Sequence, residues 1–283
     1  MKIIECPRDA MQGLTEFIPT LNKIRYLNQL MKVGFDTIDF GSFVSVKSIP
    51  QLRDTTDVIK NLEIGNSKTK LLAIVANTRG ALEACTYEAI THLGFPLSLS
   101  ETFQQRNTNK SIKEALNILE EIKTICLKSN KKLVTYISMG FGNPYGDLYD
   151  VSMAHHFVDI LKTVGSDIIS VADTIGVATP ESIRYLFTSL TSRYPELEIG
   201  AHLHSTPQTS MEKIDAAYQS GCQRFDVAIR GFGGCPMAND ALTGNLATEN
   251  ILAYLENVGV KTSLNENELA EAMRIADEIF PKH

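Results

Sequence analysis

The 283-residue chain is poor in the features that mark several protein classes. Its five cysteines, Cys6, Cys85, Cys126, Cys222 and Cys235, are odd in number, widely scattered and free of any CxxC pair. That excludes a zinc finger or a disulfide framework and points to reduced thiols in a cytoplasm. No stretch approaches the ~18 uninterrupted apolar residues of a membrane span. The apolar run in the opening MKIIECPRDAMQG is too short for a signal peptide. Glycine (18) and proline (10) are not in excess, which removes collagen-like and disordered readings. Basic residues are outnumbered, 27 Lys+Arg against 33 Asp+Glu, for a net charge of -6. Such a surface repels phosphate backbones and anionic bilayers, so neither nucleic acid nor a membrane is expected as partner. No linker rich in Pro, Ser or Gly divides the chain, so a single domain over residues 1–283 is expected.

What is present is a repeated alternation. Apolar, β-rich runs occur at Lys2–Glu5, Thr37–Phe40, Leu71–Val75, Phe95–Leu99, Leu133–Ser138, Asp167–Val171, Glu198–His202 and Phe225–Ile229. Amphipathic stretches separate them. In Leu21–Val33, the residues Leu21, Ile24, Leu27, Leu30 and Met31 are expected on one helical face. Ser111 followed by Glu114 reads as a capping box, and Thr179-Pro180-Glu181 as a cap, a first-position proline and an early acid. Four segments, around Gly34, Gly94, Gly165 and Gly221, read as helix-ending glycines with a strand following, and His92 as a residue meeting a helix dipole just before one of them. A final helix is expected near Glu266–Phe280. Eight β units alternating with helices predict an α/β fold, a (β/α)8 TIM barrel with an additional C-terminal helix. A doubly wound open sheet uses the same units, but no GxGxxG follows the first strand.

A barrel places chemistry just beyond the C-terminal ends of its strands. Those positions hold Arg8 and Asp9, Asp39 and Ser42, Ser100 and Glu101, Tyr136 and Ser138, Ser170 and Asp173, His202 and His204, then a glycine-rich run with Cys235, then Asn245. His202 and His204 are two apart, which on extended backbone turns both imidazoles to one side. They read either as metal ligands or as polar surface and core histidines. In a barrel, Asp9 and Asn245 come within reach of them. The resulting set of oxygen and nitrogen donors without thiolate suits Mg²⁺ or Mn²⁺ better than structural zinc. Arg8 reads as a salt-bridge partner of a strand-end acid or as a fixed cation facing an oxyanion. Cys235 reads as a small residue in a tight turn or as a thiol on a movable loop. Tyr136 faces either core or substrate, and His155-His156 reads as structural.

These segments resemble a known family. Pro7-Arg8-Asp9 with Gln12, Ser42-Phe43-Val44-Ser45, Asp173-Thr174-Ile175-Gly176-Val177 with Thr179-Pro180, His202-x-His204, Gly231-x-Gly233-Gly234-Cys235-Pro236 and Gly244-Asn245-Leu246-Ala247-Thr248-Glu249 are similar to the 3-hydroxy-3-methylglutaryl-CoA lyase family, within a metal-dependent TIM-barrel lyase and synthase superfamily. The resemblance implies a retro-Claisen cleavage of 3-hydroxy-3-methylglutaryl-CoA to acetyl-CoA and acetoacetate. It implies Asp9, His202, His204 and Asn245 as ligands of Mg²⁺ or Mn²⁺. Arg8 would touch substrate and hold the enolate, Asp9 or His202 would take the hydroxyl proton, and Cys235 would protonate the carbanion. Asp39, Ser100, Tyr136, Ser170 and Asp173 would line the acyl pocket, and Glu249 would belong to the loop network near Cys235. A homo-oligomer, a dimer or more, is the expected assembly.

The chain departs from the family pattern in places. Ala10-Met11 stands for Gly-Leu, Asp39 for a glutamate one methylene longer, Ser205 for an aspartate and Met237 for a tyrosine. The segment Glu5-Cys6-Pro7-Arg8 is one residue short, so no role passes to Glu5. Related acyl-CoA Claisen condensation enzymes, aldolases of other 3-hydroxy acids and a catalytically silent barrel are the competing readings. The cysteine loop weighs against the first, and the joint presence of Arg8, Asp9 and both histidines against the last.

Overall fold

A computed structural model describes residues 1–234 and 243–280 of the chain. Eight strands, β1 (Lys2–Glu5), β2 (Thr37–Ser42), β3 (Lys70–Ile74), β4 (Ile90–Ser98), β5 (Lys132–Ser138), β6 (Ile168–Ala172), β7 (Glu198–His202) and β8 (Arg224–Val227), form a closed barrel in sequential order. All pair in parallel. The ring closes through four β1–β8 pairs, Lys2↔Arg224 to Glu5↔Val227. The β7–β8 join has one pair, Ala201↔Phe225. Each of the eight apolar runs read from sequence falls on one of these strands. A parallel strand covered on both faces must be apolar almost throughout, and β2 is buried at all six positions.

The helices are α1 (Pro7–Gln12), α2 (Thr20–Val33), α3 (Thr55–Lys60), α4 (Thr78–Cys85), α5 (Glu101–Thr108), α6 (Ile112–Lys128), α7 (Val151–Val164), α8 (Pro180–Arg193), α9 (Ser210–Gln219), α10 (Thr248–Asn257) and α11 (Glu266–Ile279). The Ser111–Glu114 capping box starts α6, and Thr179 caps α8 ahead of Pro180. Gly34 and Gly165 close α2 and α7 in the left-handed conformation, with φ of 90° and 88°. Among the described residues, no helix is long and apolar enough to cross a membrane.

Two sequence expectations fail. Leu21 is 78% exposed. It lies nine positions from buried Leu30, and nine steps of ~100° put it on the opposite side of α2. Gly94 ends no helix: α4 stops at Cys85, and His92 and Gly94 both lie inside β4. The reason is space within the barrel. A Cβ on Gly94 would sit 2.6 Å from Ile74 Cδ1, 3.0 Å from Leu72 Cδ2 and 3.1 Å from Tyr136 Cε2. His92 therefore meets no helix dipole. It is buried in the strand.

Strand alternation sorts the core into two sets. Outward residues such as Phe95, Leu97, Val171 and Phe225 join the helices in one large apolar cluster. Inward residues Leu72, Ile74, Val134, Tyr136 and Ile168 form a small separate one. The rest of the interior includes polar groups buried beside them: Asp39, Ser170, His202, Arg224 and Asp226. Gly200 leaves room for one of these, since a Cβ there would lie 2.8 Å from Arg224 Cδ.

Candidate active site

β1 delivers the chain to the barrel mouth, and Pro7 at the first position starts α1 there at once. Arg8 and Asp9 are thereby buried at 7% and 6% exposure. Arg8 grips Asp39 with Nε, 3.0 Å from Oδ2, and with Nη2. Its Nη1 donates to Asp9 Oδ1 at 2.9 Å and to Gln12 Oε1 at 2.9 Å. Gln12 Nε2 donates back to Asp9 Oδ1 at 2.7 Å. A guanidinium has five N–H groups. Four are engaged, which leaves one Nη2 hydrogen without a partner among the described residues.

β7 ends in His202, and His204 lies in a two-residue ribbon paired antiparallel with Gly244-Asn245, His204 opposite Asn245. Asn245 Nδ2 donates to Asp9 Oδ2 at 2.9 Å and to Phe232 O at 2.9 Å. Both amide hydrogens are used, so Oδ1 is its remaining coordinating atom. Gly233, with φ of 91°, packs against this group: a Cβ there would lie 2.8 Å from Asn245 Nδ2 and from Ala10 Cα. Asp9, His202 and His204 each offer a ligand atom, and these atoms lie within 4.8 Å of one another. His202 Nδ1 is 3.3 Å from Asp226 Oδ2, leaving Nε2 free for the site. A carboxylate behind a ligating imidazole fixes its tautomer and raises its basicity.

The electrostatics follow. Burial alone would raise the Asp9 carboxyl, yet Arg8, His202, His204 and the Asn245 amide hold it below its ordinary value. Burial dominates at Asp39 and pushes it up to about 6 despite Arg8. Burial would lower His202, but Asp226 and Asp9 raise it above 6.5. Burial, then the neighbouring His202, pushes His204 down to about 4. Burial would weaken the Arg8 cation, and Asp39 with Asp9 more than offset it.

These residues fit a divalent cation. His204 is 4% exposed, and neither of its ring nitrogens makes a hydrogen bond of good geometry among the described residues. A buried polar group with no partner is costly. A neutral imidazole beside an ionised carboxylate, a second imidazole and a free amide oxygen is the donor set that such an ion requires.

The other expected site residues divide. Tyr136 lies on the barrel wall edge-on to His202, ring centroids 5.8 Å apart, with its hydroxyl buried and without a hydrogen-bond partner among the described residues. Ser170 donates to Asp226 Oδ2 at 2.9 Å, beneath His202. Two further expected pocket residues are hydrogen-bonded to neighbouring loops and helices. Ser100 caps α5 and donates to Asp147. Asp173 pairs with Lys213 Nζ at 2.8 Å and accepts from Ala178 N. Glu249, in the first turn of α10, accepts from Arg230 N at 3.0 Å and Arg230 Nη1 at 3.1 Å, at the root of the glycine-rich run. Cys235 lies outside the described residues.

Sequence reasoning missed Asp226, Lys213 and Glu5. Arg224 and Asp226 carried a readable sign: two apart, they share one face of the strand, and the apolar Phe225 and Val227 alternating with them mark that face as the inner one. Glu5 accepts from Ile229 N and Thr248 Oγ1, and burial pushes it up to about 8.

Known proteins resemble this chain over nearly its whole length. The HMGL-like family model covers residues 2–276. A hydroxymethylglutaryl-CoA lyase of Bacillus subtilis is 35% identical over 98% of this chain and 91% of its own length. A 3-hydroxy-3-isohexenylglutaryl-CoA/hydroxymethylglutaryl-CoA lyase of Pseudomonas aeruginosa is 31% identical over 94% of this chain and 88% of its own. The crystal structure of a B. subtilis HMG-CoA lyase superposes with a TM-score of 0.92 at 34% identity, over 98% of this chain and 93% of that one. An HMG-CoA lyase from Acinetobacter baumannii, solved with coenzyme A and 3-methylmalate, gives 0.90 at 30% identity over 99% and 90%. The chain therefore belongs to the HMGL-like family, among the HMG-CoA lyases, and is a carbon–carbon lyase.

Proposed function

We propose that the chain cleaves 3-hydroxy-3-methylglutaryl-CoA to acetyl-CoA and acetoacetate, with Mg²⁺ or Mn²⁺ held by Asp9, His202, His204 and Asn245. The observation that carries the reading is the buried Asp9–His202–His204 cluster, with its unpartnered imidazole, beside the Arg8 guanidinium. A bound divalent ion supplies Lewis acidity that makes the substrate's tertiary hydroxyl easier to deprotonate.

The chain's own groups do the rest. One acceptor stands ready for the hydroxyl proton, the Asp9 carboxylate, held ionised, while His202, whose Nε2 lone pair would go to the metal, is made a stronger ligand through Asp226. As the alkoxide becomes a ketone, the bond between C2 and C3 breaks and its electron pair passes to the thioester as an enolate. The free Nη2 hydrogen of Arg8 is suited to that oxyanion, because Asp39 and Asp9 fix the guanidinium before any charge develops. The enolate carbon then takes a proton. Cys235 holds that role on the sequence resemblance, a thiol near ~8.5 being a workable donor. An acyl-CoA as substrate agrees with the coenzyme A found in the Acinetobacter relative.

The test is purified protein stripped of metal by chelation, then supplied with Mg²⁺ or Mn²⁺ and 3-hydroxy-3-methylglutaryl-CoA or its longer 3-alkyl homologues. Metal-dependent acetyl-CoA release is expected. Release that is equal with and without metal, or condensation of acetyl-CoA with a 2-oxo acid and no cleavage, would overturn the reading.

A further inference from the structure

Lys213 is a buried charged group that the proposed reaction leaves unused, and it touches the main chain of a proposed ligand. It sits in the first turns of α9 at 3% exposure. Its Nζ donates to Asp173 Oδ2 at 2.8 Å, to Gly176 O at 3.1 Å and to the backbone carbonyl of His204 at 2.8 Å. An ammonium has three hydrogens and no more, so this one is fully committed. It joins two loops at the barrel mouth, the turn after β6 and the exit of β7. That turn presses in its own way on the ribbon carrying Asn245: a Cβ on Gly176 would lie 2.5 Å from Thr243 Cγ2.

Stability alone does not account for a lysine here. A cation near the start of a helix has the wrong sign for the helix dipole. A buried ion pair is often matched or bettered by apolar residues of the same volume. What an apolar residue cannot do is hold the His204 carbonyl. Among the described residues the His204 imidazole makes no hydrogen bond of good geometry, so its direction is set largely from its main chain.

We propose that Lys213 is a positioning residue for the cation site: by holding the His204 carbonyl against the Asp173–Gly176 turn, it fixes the angle at which the His204 imidazole meets a divalent ion. The inference rests on the reading of Asp9, His202 and His204 as metal ligands.

The experiment titrates metal-free protein with Mn²⁺ alone, without substrate, following free Mn²⁺ by electron paramagnetic resonance. Three proteins are compared: wild type, Lys213→Met, and Lys213→Met with Asp173→Asn. The single variant strands a buried carboxylate and can fail to fold. The double variant removes both charges, and circular dichroism melting reports whether its fold is kept. Expected is a folded double variant that binds Mn²⁺ ~10–100-fold more weakly than wild type, the loss typical of removing a group that orients a metal ligand. A folded double variant that binds Mn²⁺ as tightly as wild type overturns the positioning role and leaves the metal site standing. Wild type that takes up no Mn²⁺ overturns the metal reading itself, and the inference with it.

Discussion

His92 offers a quantitative test of the barrel interior. It lies on β4, buried at 4% exposure, with Nδ1 2.7 Å from Thr91 Oγ1. Burial first, then the charges of Arg224, Lys70 and Lys132, push it down from 6.5 to about 4. The folded protein thus keeps this imidazole neutral where the unfolded chain protonates it. The stability it contributes is present above pH 6.5 and is lost as pH falls toward 4. With those two values, going from about pH 7.5 to about 4.5 removes about 2–3 kcal/mol through this one group. His92→Gln keeps a polar partner for Thr91 and does not titrate. Urea unfolding of both proteins at the two pH values gives the comparison, since the carboxylates titrate alike in each. Wild type is expected to lose about 2–3 kcal/mol more than the variant. Parallel losses would show that the imidazole is not held neutral by its surroundings.

Other outcomes follow from the same geometry. Arg8→Gln is expected to lower kcat by ~10²-fold or more with a small change in KM, because its free hydrogen acts on charge formed only in the transition state; near-normal turnover in steady-state assays would remove it from the reaction. Cys235→Ala, argued from the sequence resemblance alone, should likewise cut kcat by orders of magnitude, and unchanged turnover would discard the thiol. His204→Ala removes an imidazole with no hydrogen bond of good geometry among the described residues, so its melting temperature should stay close to wild type while elemental analysis shows the metal gone; full metal content would strike this ligand from the set. Gly94→Ala crowds Ile74, Leu72 and Tyr136 and should cost about 1–3 kcal/mol in denaturant unfolding, and wild-type stability would mean that the interior yields more easily than the contacts imply.

The barrel was legible because covered parallel strands are nearly all apolar and the caps at Ser111 and Thr179 carry their own local chemistry. The site was legible where it depends on strand ends: Arg8, Asp9, His202 and His204 follow from position once the strands are placed. What was not legible depends on three-dimensional neighbours. Gly94 looks like a helix stop in one dimension and is a notch for Tyr136 in three. Asp173 reads as a mouth residue and lies there, in the turn after β6, but its partner Lys213 stands forty positions away on a helix. Leu21 shows that one misplaced member of an amphipathic set goes unnoticed until the helix packs.

The single β7–β8 pair marks a seam in the cylinder. His202 and His204 stand on one bank of it. Asp226 stands on the other, with Asp9 carried by the strand beside it. Closure of this joint is therefore what brings the ligand cluster together, and a cation lodged there would act as a rivet across it. A form opened at this joint would therefore be inert before it was unfolded.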